Sequence, residues 1–394
     1  MSCSEVQQCG SPLPDDVFAR EILVRLPVKS LVRFKSVCKA WRAMITDHDF
    51  TEMHLHHQLQ LNQQLNILFT YSDKIHRMVI KSTDSTVQCD DIALKELEHS
   101  NYPYPRFWGY CNGLVCLETD TFELALWNPG TQFCRRLRYR PIYYHNFDSI
   151  SSAFATAYGF GYDGQIKDYK MVAINPVDVV NLRGHCVVDV LTLGDNSWRR
   201  IAFINLSSSS LQYQSGKFIK GIIYWNLNIL QPEKLICFDI HYEVFNELRL
   251  PNVFYTENIF NGRRCKIEIS ELGGRLAVVR ELQPSSSYDF FHEVWVMKED
   301  WVKMYSIDES QNSYLWSPSV SLIGSFGIIE DKKKKKKKKK KNHFEIVYMN
   351  NRYGELFSYN PSTEAFRDFN VRVEEPARSK PVLVYVESLV SLDQ

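Results

Sequence analysis

Between Leu13 and Ile45 apolar residues recur at helical spacing, whereas from about residue 65 onward they fall in short alternating or continuous runs broken by Gly, Pro, Asn and Ser. The first pattern predicts helices and the second predicts strands. Pro14 suits a first helical position, where its missing N–H would be unpaired anyway, and Asp15 with Asp16 place negative charge at the positive end of the helix dipole. Phe18, Ile22 and Leu26 follow at intervals of four, Leu23 widens the stripe, and Pro27 ends the helix at Leu26 because it cannot supply the next N–H. Leu31 and Phe34 make the ridge of a second helix, and Val37, Trp41 and Ile45, with Cys38 and Met44 alongside, predict a third. Helices this short cannot bury all these side chains among themselves, so something else must cover part of their surface.

In the strand-rich remainder one unit repeats: an apolar strand, a polar turn, an aromatic and a second strand. It reads Leu126 to Phe133, Val190 to Trp198, Cys237 to Phe245, Val294 to Trp301 and Ser358 to Phe366. Asn or Asp at these turns can accept hydrogen bonds from nearby backbone, and Pro129 and Pro361 preset φ. Another strand pair precedes several hairpins, as around Gly113 to Leu117, Gly221 to Trp225 and Gly274 to Val279, giving four strands per unit. The spacing is close to the ~50 residues of a propeller blade, and radial closure would protect the strand edges. The expected architecture is a small all-α three-helix module followed by an all-β, kelch-like propeller of about six blades.

The hydrophobic share of 44% with 13% aromatic supports a large core. No stretch approaches the ~18 apolar residues of a membrane helix, and the first residues, Met1 to Gln8, lack the basic and apolar regions of a secretory leader. The ten cysteines include no Cys-x-x-Cys pair, so free thiols and a cytoplasmic or nuclear location are expected. Seven basic residues against Glu21 between positions 20 and 42 raise the possibility of a DNA-reading helix, but they spread around all three helices rather than over one face. Gly159 to Gly164 fits Gly-x-Gly-x-x-Gly, yet a turn and a strand follow it where a dinucleotide site needs a helix. His54, His56 and His57 form one short cluster without a carboxylate or Cys at ligand spacing and read as a solvated helix end. With no Gly-x-Ser-x-Gly elbow, His-Glu-x-x-His helix or Walker loop, the expectation is a non-catalytic protein with no catalytic, metal or cofactor site. Aromatics of Tyr102 to Trp108 and Tyr139 to Phe147 are candidates for a protein-binding face on blade-connecting loops.

Leu13-Pro14, Leu26-Pro27, the step from Leu31 to Phe34, and Val37-Cys38 with Trp41 stand in the order and spacing of the F-box family. Residues 11–54 thus resemble an F-box domain. The resemblance implies that Leu13, Pro14, Ile22, Leu23, Leu26, Pro27, Leu31, Phe34, Val37 and Trp41 bind a Skp-type adaptor and, through it, cullin and RING subunits. Gly109 to Val115, Trp127-Asn128-Pro129, Tyr158 to Asp163 with Asp168 to Val172, and Glu293 to Glu299 are similar to the F-box-associated domain of plant F-box/kelch-repeat proteins, which would occupy residues 65–394. The Gly-Gly pairs of animal kelch repeats are mostly missing. The ending Val384 to Ser391 is compatible with the S-locus branch of that family, whose members recognise S-RNases in plant self-incompatibility. The resemblance implies the substrate-recognition subunit of a Skp-cullin-F-box ubiquitin ligase, holding a protein target for ubiquitination and proteasomal degradation. The alternative is a non-degradative, adaptor-bound scaffold or a lectin-like binding protein. Neither nucleic acid nor membrane is an expected partner.

Lys332 to Lys341 form an uninterrupted run of ten lysines, and without it the 47 basic residues fall to 37 against 46 acidic. The folded part is therefore expected to be mildly acidic, and the run, which repels itself and buries no apolar area, is expected to be a solvated low-complexity loop within the last blade. Deleting residues 332–341 is expected to leave the thermal midpoint within a few degrees, the shift that a surface change of ~0.5 kcal/mol or less produces. A calorimetric scan showing a larger loss would place the run inside structure.

Overall fold

The computed structural model describes residues 21–60, 64–71, 74–81, 87–92, 106–118, 123–137, 156–176, 185–205, 214–227, 233–254, 265–282, 291–308, 320–327, 344–350, 355–372 and 383–391. Near the start of the described residues stands a 3-10 turn, Leu23–Arg25, after which Leu26 and Pro27 are extended. Three helices follow: α1 (Val28–Phe34), α2 (Lys39–Thr46) and α3 (His48–Gln60). Pro27 therefore closes one element and opens the next, with α1 starting directly behind it. Val37 stands in the turn before α2, not in the third helix where its spacing from Trp41 had placed it. Helix α2 starts at Lys39 because Cys38 is extended and its sulfur accepts the Trp41 N–H at 3.5 Å, capping the helix. Asp47 caps α3 in the same way, its carboxylate accepting from the N–H groups of Asp49 and Phe50 at 3.1 and 3.2 Å.

The strands form six four-stranded antiparallel sheets. The first holds β1 (Gln64–Tyr71), β2 (Lys74–Lys81) and β3 (Val87–Ile92); the second holds β4 (Arg106–Cys111), β5 (Leu114–Glu118), β6 (Leu124–Asn128) and β7 (Phe133–Leu137). The third is β8 (Ala157–Asp163), β9 (Asp168–Pro176), β10 (His185–Thr192) and β11 (Ser197–Asn205), and the fourth is β12 (Lys217–Ile219), β13 (Ile222–Trp225), β14 (Lys234–Asp239) and β15 (Val244–Arg249). The fifth runs through β16 (Cys265–Leu272), β17 (Arg275–Leu282), β18 (Phe291–Met297) and β19 (Trp301–Asp308), and the sixth through β20 (Val320–Gly327), β21 (Phe344–Asn350), β22 (Glu355–Asn360) and β23 (Ala365–Arg372). The fourth strand of the first sheet is β24 (Leu383–Tyr385), which pairs with β1 through Leu383–Leu68, Val384–Ile67 and Tyr385–Asn66. Strands β24, β4, β8, β12, β16 and β20 touch one another in turn around the centre. This is a six-bladed propeller whose ring is closed by the C-terminal strand.

Each repeating hairpin of the sequence is the outer strand pair of a blade, β6–β7, β10–β11, β14–β15, β18–β19 and β22–β23 in turn. Asn128, Asp239 and Asn360 occupy the same place in three of them and bond the backbone two residues on, at 2.9 Å in each case. The inner hairpin of blade two turns on Asn112 and Gly113, both at positive φ (51° and 89°), the two-residue geometry that matches strand twist. One apolar cluster fills each gap between neighbouring blades: Trp127 lies between blades one and two, Trp108 with Phe160 between two and three, and Trp225 with Phe238 between three and four.

Two glycines of the Gly159 to Gly164 segment, Gly159 and Gly161, serve this packing in a strand–turn–strand context. A Cβ on Gly159 would stand 2.4 Å from the Trp225 ring, and one on Gly161 would stand 2.3 Å from the Phe218 ring, whereas Gly164 has no neighbour within 4 Å. Trp225 in turn donates its indole N–H to the Tyr158 carbonyl at 2.9 Å, joining blade four to blade three. Gly159→Ala is expected to cost about 1–3 kcal/mol through overpacking, and Gly164→Ala less than ~0.5 kcal/mol. Denaturant unfolding of the two variants checks this, and equal effects would refute the packing account.

Candidate functional site

The helices sit against the propeller end that carries the turns of the inner and outer hairpins. Leu23, Val28, Leu31, Ile45 and Phe50 form one buried cluster, and its sixth member is Leu389, from the far end of the chain. Something else does cover the helical surface: the chain's own tail. Residues 386–391 run from β24 beneath the helices and are gripped on the propeller side. The Asn128 amide donates to the carbonyls of Ser388 and Val390 at 3.1 and 2.8 Å, the Val386 N–H donates to the Tyr110 hydroxyl at 2.6 Å, and Arg77 pairs with Glu387 at 2.6 Å. Gly113 admits Ser388, whose Oγ would lie only 2.0 Å from a Cβ at that position. Val386 to Ser391, read from the sequence only as a family ending, is a strap that joins the two parts. Tyr162 adds a direct link by donating to the Glu52 carboxylate at 3.3 Å. Burial and that carboxylate push its hydroxyl up to about 12.

The residues expected to meet an adaptor divide into two groups. Ile22 and Val37 are exposed, at 43% and 62%, as is Pro27, while Leu26, Phe34 and Trp41 are half-buried, the last two in edge-to-face contact at 5.1 Å. Leu23 and Leu31 point inward, at 1% and 0% exposure, and support the helices from within. Leu13 and Pro14 lie outside the described residues. His54 is a correction to the reading of a solvated helix end, because it is fully buried and its Nε2 lies 3.0 Å from the Leu26 carbonyl, to which that nitrogen donates when it carries the ring proton. It gives a partner to the Leu26 carbonyl, which stands at the extended break between the 3-10 turn and α1, where the first N–H groups of α1 bond to Pro27 instead.

Blades three and four are tied at the same propeller end by a buried charge cluster. Lys170 lies 3.0 Å from Asp163 and 3.0 Å from Glu243 and donates to the Ile240 carbonyl at 2.8 Å, while the His241 ring meets Asp163 at 3.1 Å and Arg199 pairs with Glu243. Burial acts to raise the Asp163 carboxyl, but hydrogen bonds from Lys170, Gln165 and His241 outweigh it and hold the group below the ordinary carboxylate range. Asp168 accepts the Gly194 N–H at 2.8 Å and closes the adjoining turn. The Asp-Tyr-Lys sequence at 168–170 is thus a blade-joining device. Every member has a partner, and the cluster is structural.

The opposite propeller end is bounded by the starts of the inner strands and the ends of the outer ones. Tyr139 to Phe147 and Tyr102 to Tyr104, expected there as a binding face, lie outside the described residues. Phe107 and Trp108 do not belong to an exposed face, since both are buried in the inner strand of blade two at 1% and 3% exposure.

Residues 65–381 match the family described as the F-box associated beta propeller domain, and residues 11–53 match the F-box domain. The chain belongs to the F-box-associated propeller family. This F-box protein is similar to the Arabidopsis thaliana F-box protein CPR1, 27% identical over 328 residues that cover 76% of this chain and 74% of the relative. An Arabidopsis F-box/kelch-repeat protein is 29% identical over 73% of this chain and 77% of its own length, and another Arabidopsis F-box protein is 24% identical over 96% and 99%. Among solved structures, YCF48 bound to a D1 peptide gives a TM-score of 0.37 at 9% identity over 82% of this chain and 90% of its own. The fucose-specific lectin of Aleuria aurantia gives 0.36 at 8% over 80% and 97%, too loose a likeness to speak for a lectin-like role. No helix among the described residues is long and apolar enough to cross a membrane.

Desolvation, aided by His57, holds the His54 pKa below its ordinary value despite the Leu26 carbonyl. The unfolded chain therefore takes up a proton below about pH 6.5 that folded His54 resists, and stability falls as the pH drops through that value. Thermal unfolding at pH 7.0 and 5.5 is expected to show a lower midpoint at the acid value in the F-box protein and a smaller drop in His54→Gln. An identical drop in both would show that His54 does not govern it.

Proposed function

We propose that this chain is the substrate-recognition subunit of a Skp-cullin-F-box ubiquitin ligase. Residues 11–54 hold the Skp-type adaptor, and residues 65–394 hold a protein target for ubiquitination and proteasomal degradation. One observation carries the reading: the F-box keeps apolar Ile22 and Val37 in solvent while its own core is completed from the tail by Leu389. An apolar pair left outside a finished core is a surface for a partner. The subunit makes and breaks no bond itself; it contributes proximity, since a tethered substrate lysine meets the charged conjugating enzyme at high effective concentration. A cytoplasmic or nuclear location follows from that assembly. The narrower S-locus reading draws no support from these Arabidopsis relatives, and a non-degradative scaffold is the competing role.

Ile22→Asp with Val37→Asp is expected to abolish co-purification with a Skp-type adaptor, since interface anchors are worth about 2 kcal/mol or more each, while the thermal midpoint stays near that of the unaltered chain. Leu31→Ala, by contrast, should act on stability, costing about 2–5 kcal/mol. Adaptor recovered at the normal yield from the double variant would defeat the assignment. Unchanged half-life of a captured partner after its surface lysines are replaced would favour the scaffold.

A further inference from the structure

Between Ile22 and Thr46 the chain carries six basic residues, Arg25, Lys29, Arg33, Lys35, Lys39 and Arg42, and no acid, although acids outnumber bases elsewhere once the lysine run is set aside. Arg25 pairs with Glu21 at 3.0 Å. Among the described residues none of the other five makes an ion pair. Lys29, Arg33, Lys39 and Arg42 are exposed and Lys35 is half-buried. The nearest acids, Asp47, Asp49 and Glu52, lie at the cap of α3 and along it, Asp49 beside His48 and Glu52 against the propeller's Tyr162. Counting them, residues 21–52 remain basic, six against four, with the cations gathered on α1 and α2.

Helix formation does not ask for this arrangement; local electrostatics oppose it. Lys29 and Lys39 sit in the first turns of α1 and α2, which hold no acid, at the positive ends of the helix dipoles. Lys29 and Arg33 stand four apart on α1, and Lys39 and Arg42 three apart on α2, spacings at which like charges repel. Burial and then the nearby Arg42 charge lower the Lys35 pKa. Packing does not ask for it either, because Val28, Leu31 and Ile45 turn inward to meet Leu389 and the cations occupy the surface that is left. Opposite charge on a partner would relieve every one of these repulsions.

The same surface holds the exposed apolar pair. Val37 stands between Lys35 and Lys39, and Ile22 stands three residues before Arg25. Apolar anchors inside a charged rim are the anatomy of a protein interface, whereas a phosphate backbone offers nothing to bury them.

We propose that the outer face of α1 and α2 docks a protein surface whose acidic side chains rim an apolar socket, and that this charge match governs how fast the partner is captured. The inference rests on the adaptor assignment: the Skp-type adaptor is the partner that carries the acidic rim. Long-range attraction speeds and orients the encounter, while the apolar anchors set how long the complex lasts.

The test immobilises the full chain and follows association and dissociation of a recombinant plant Skp-type adaptor. Raising the salt from about 50 to about 300 mM should slow association about tenfold and leave dissociation nearly unchanged. Lys29→Gln with Arg33→Gln, and Lys39→Gln with Arg42→Gln, should each slow association at low salt and flatten its salt dependence. Glutamine suits a helix and removes like-charge repulsion, so the thermal midpoint should not fall. Arg249→Gln, an exposed cation at the opposite propeller end, should change neither rate. Adaptor binding whose association ignores salt and both double variants overturns the proposal while leaving the adaptor assignment standing. No binding by the unaltered chain defeats that assignment and this inference with it. Two further results overturn the inference by naming another occupant: random-sequence duplex DNA held through the same four cations, or salt-sensitive self-association of the chain lost in the same variants.

Discussion

Three residue pairs hold the ring shut. Leu383, Val384 and Tyr385 add the innermost strand to a sheet whose other members come from residues 64–92, and without them β1 would present an unpaired edge at the centre of the molecule. The closure also fixes where the chain goes next. Leaving Tyr385, the strap passes the Asn112-Gly113 and Asn128-Pro129-Gly130 turns, and it delivers Leu389 into the helical core. Propeller closure and F-box seating are thus successive parts of one path of nine residues, 383–391. Several features that look local serve that path: the positive φ of Gly113 and the buried amide of Asn128 both make room for or hold the strap.

The propeller was legible because its repeat is chemical as well as periodic. An Asn or Asp that bonds its own turn and an aromatic that fills an interblade gap recur together, so outer hairpins announce themselves. The short inner strands carry weaker signals, and β12 has only three residues. Closure was the least legible feature, since pairing between positions 68 and 383 leaves no local trace. The helical module divides similarly. Pro27 marked its break correctly, because loss of an N–H acts wherever it occurs. Val37 misled, because spacing of four residues does not reveal that Cys38 is extended and starts a new helix. Helix α3 has no clear apolar stripe in the sequence, because its buried Phe50, His54 and Leu55 include a histidine, which meets the Leu26 carbonyl and Gln58.

Of the candidate adaptor residues, sequence spacing could identify the apolar set but not its direction. Leu23 and Leu31 differ from Ile22 and Val37 in nothing that periodicity records; the difference lies in which side Leu389 occupies. The charge cluster behind Asp163 and Lys170 shows the converse. Asp163 and Lys170 carry the family resemblance in the sequence, and their role is a buried bridge between blades whose partners, Ile240, His241 and Glu243, lie some seventy residues away.

The strap also orders events in time. The helices are synthesised first, yet one member of their buried cluster arrives about 340 residues later, after every blade has been made. Contacts of such separation form slowly, because the intervening chain must be arranged before they are rewarded. An arrested or shortened polypeptide that lacks residues 383–391 possesses neither a closed ring nor a complete helical core. Linking the two defects makes the helical platform a check on whether the receptor behind it has been finished.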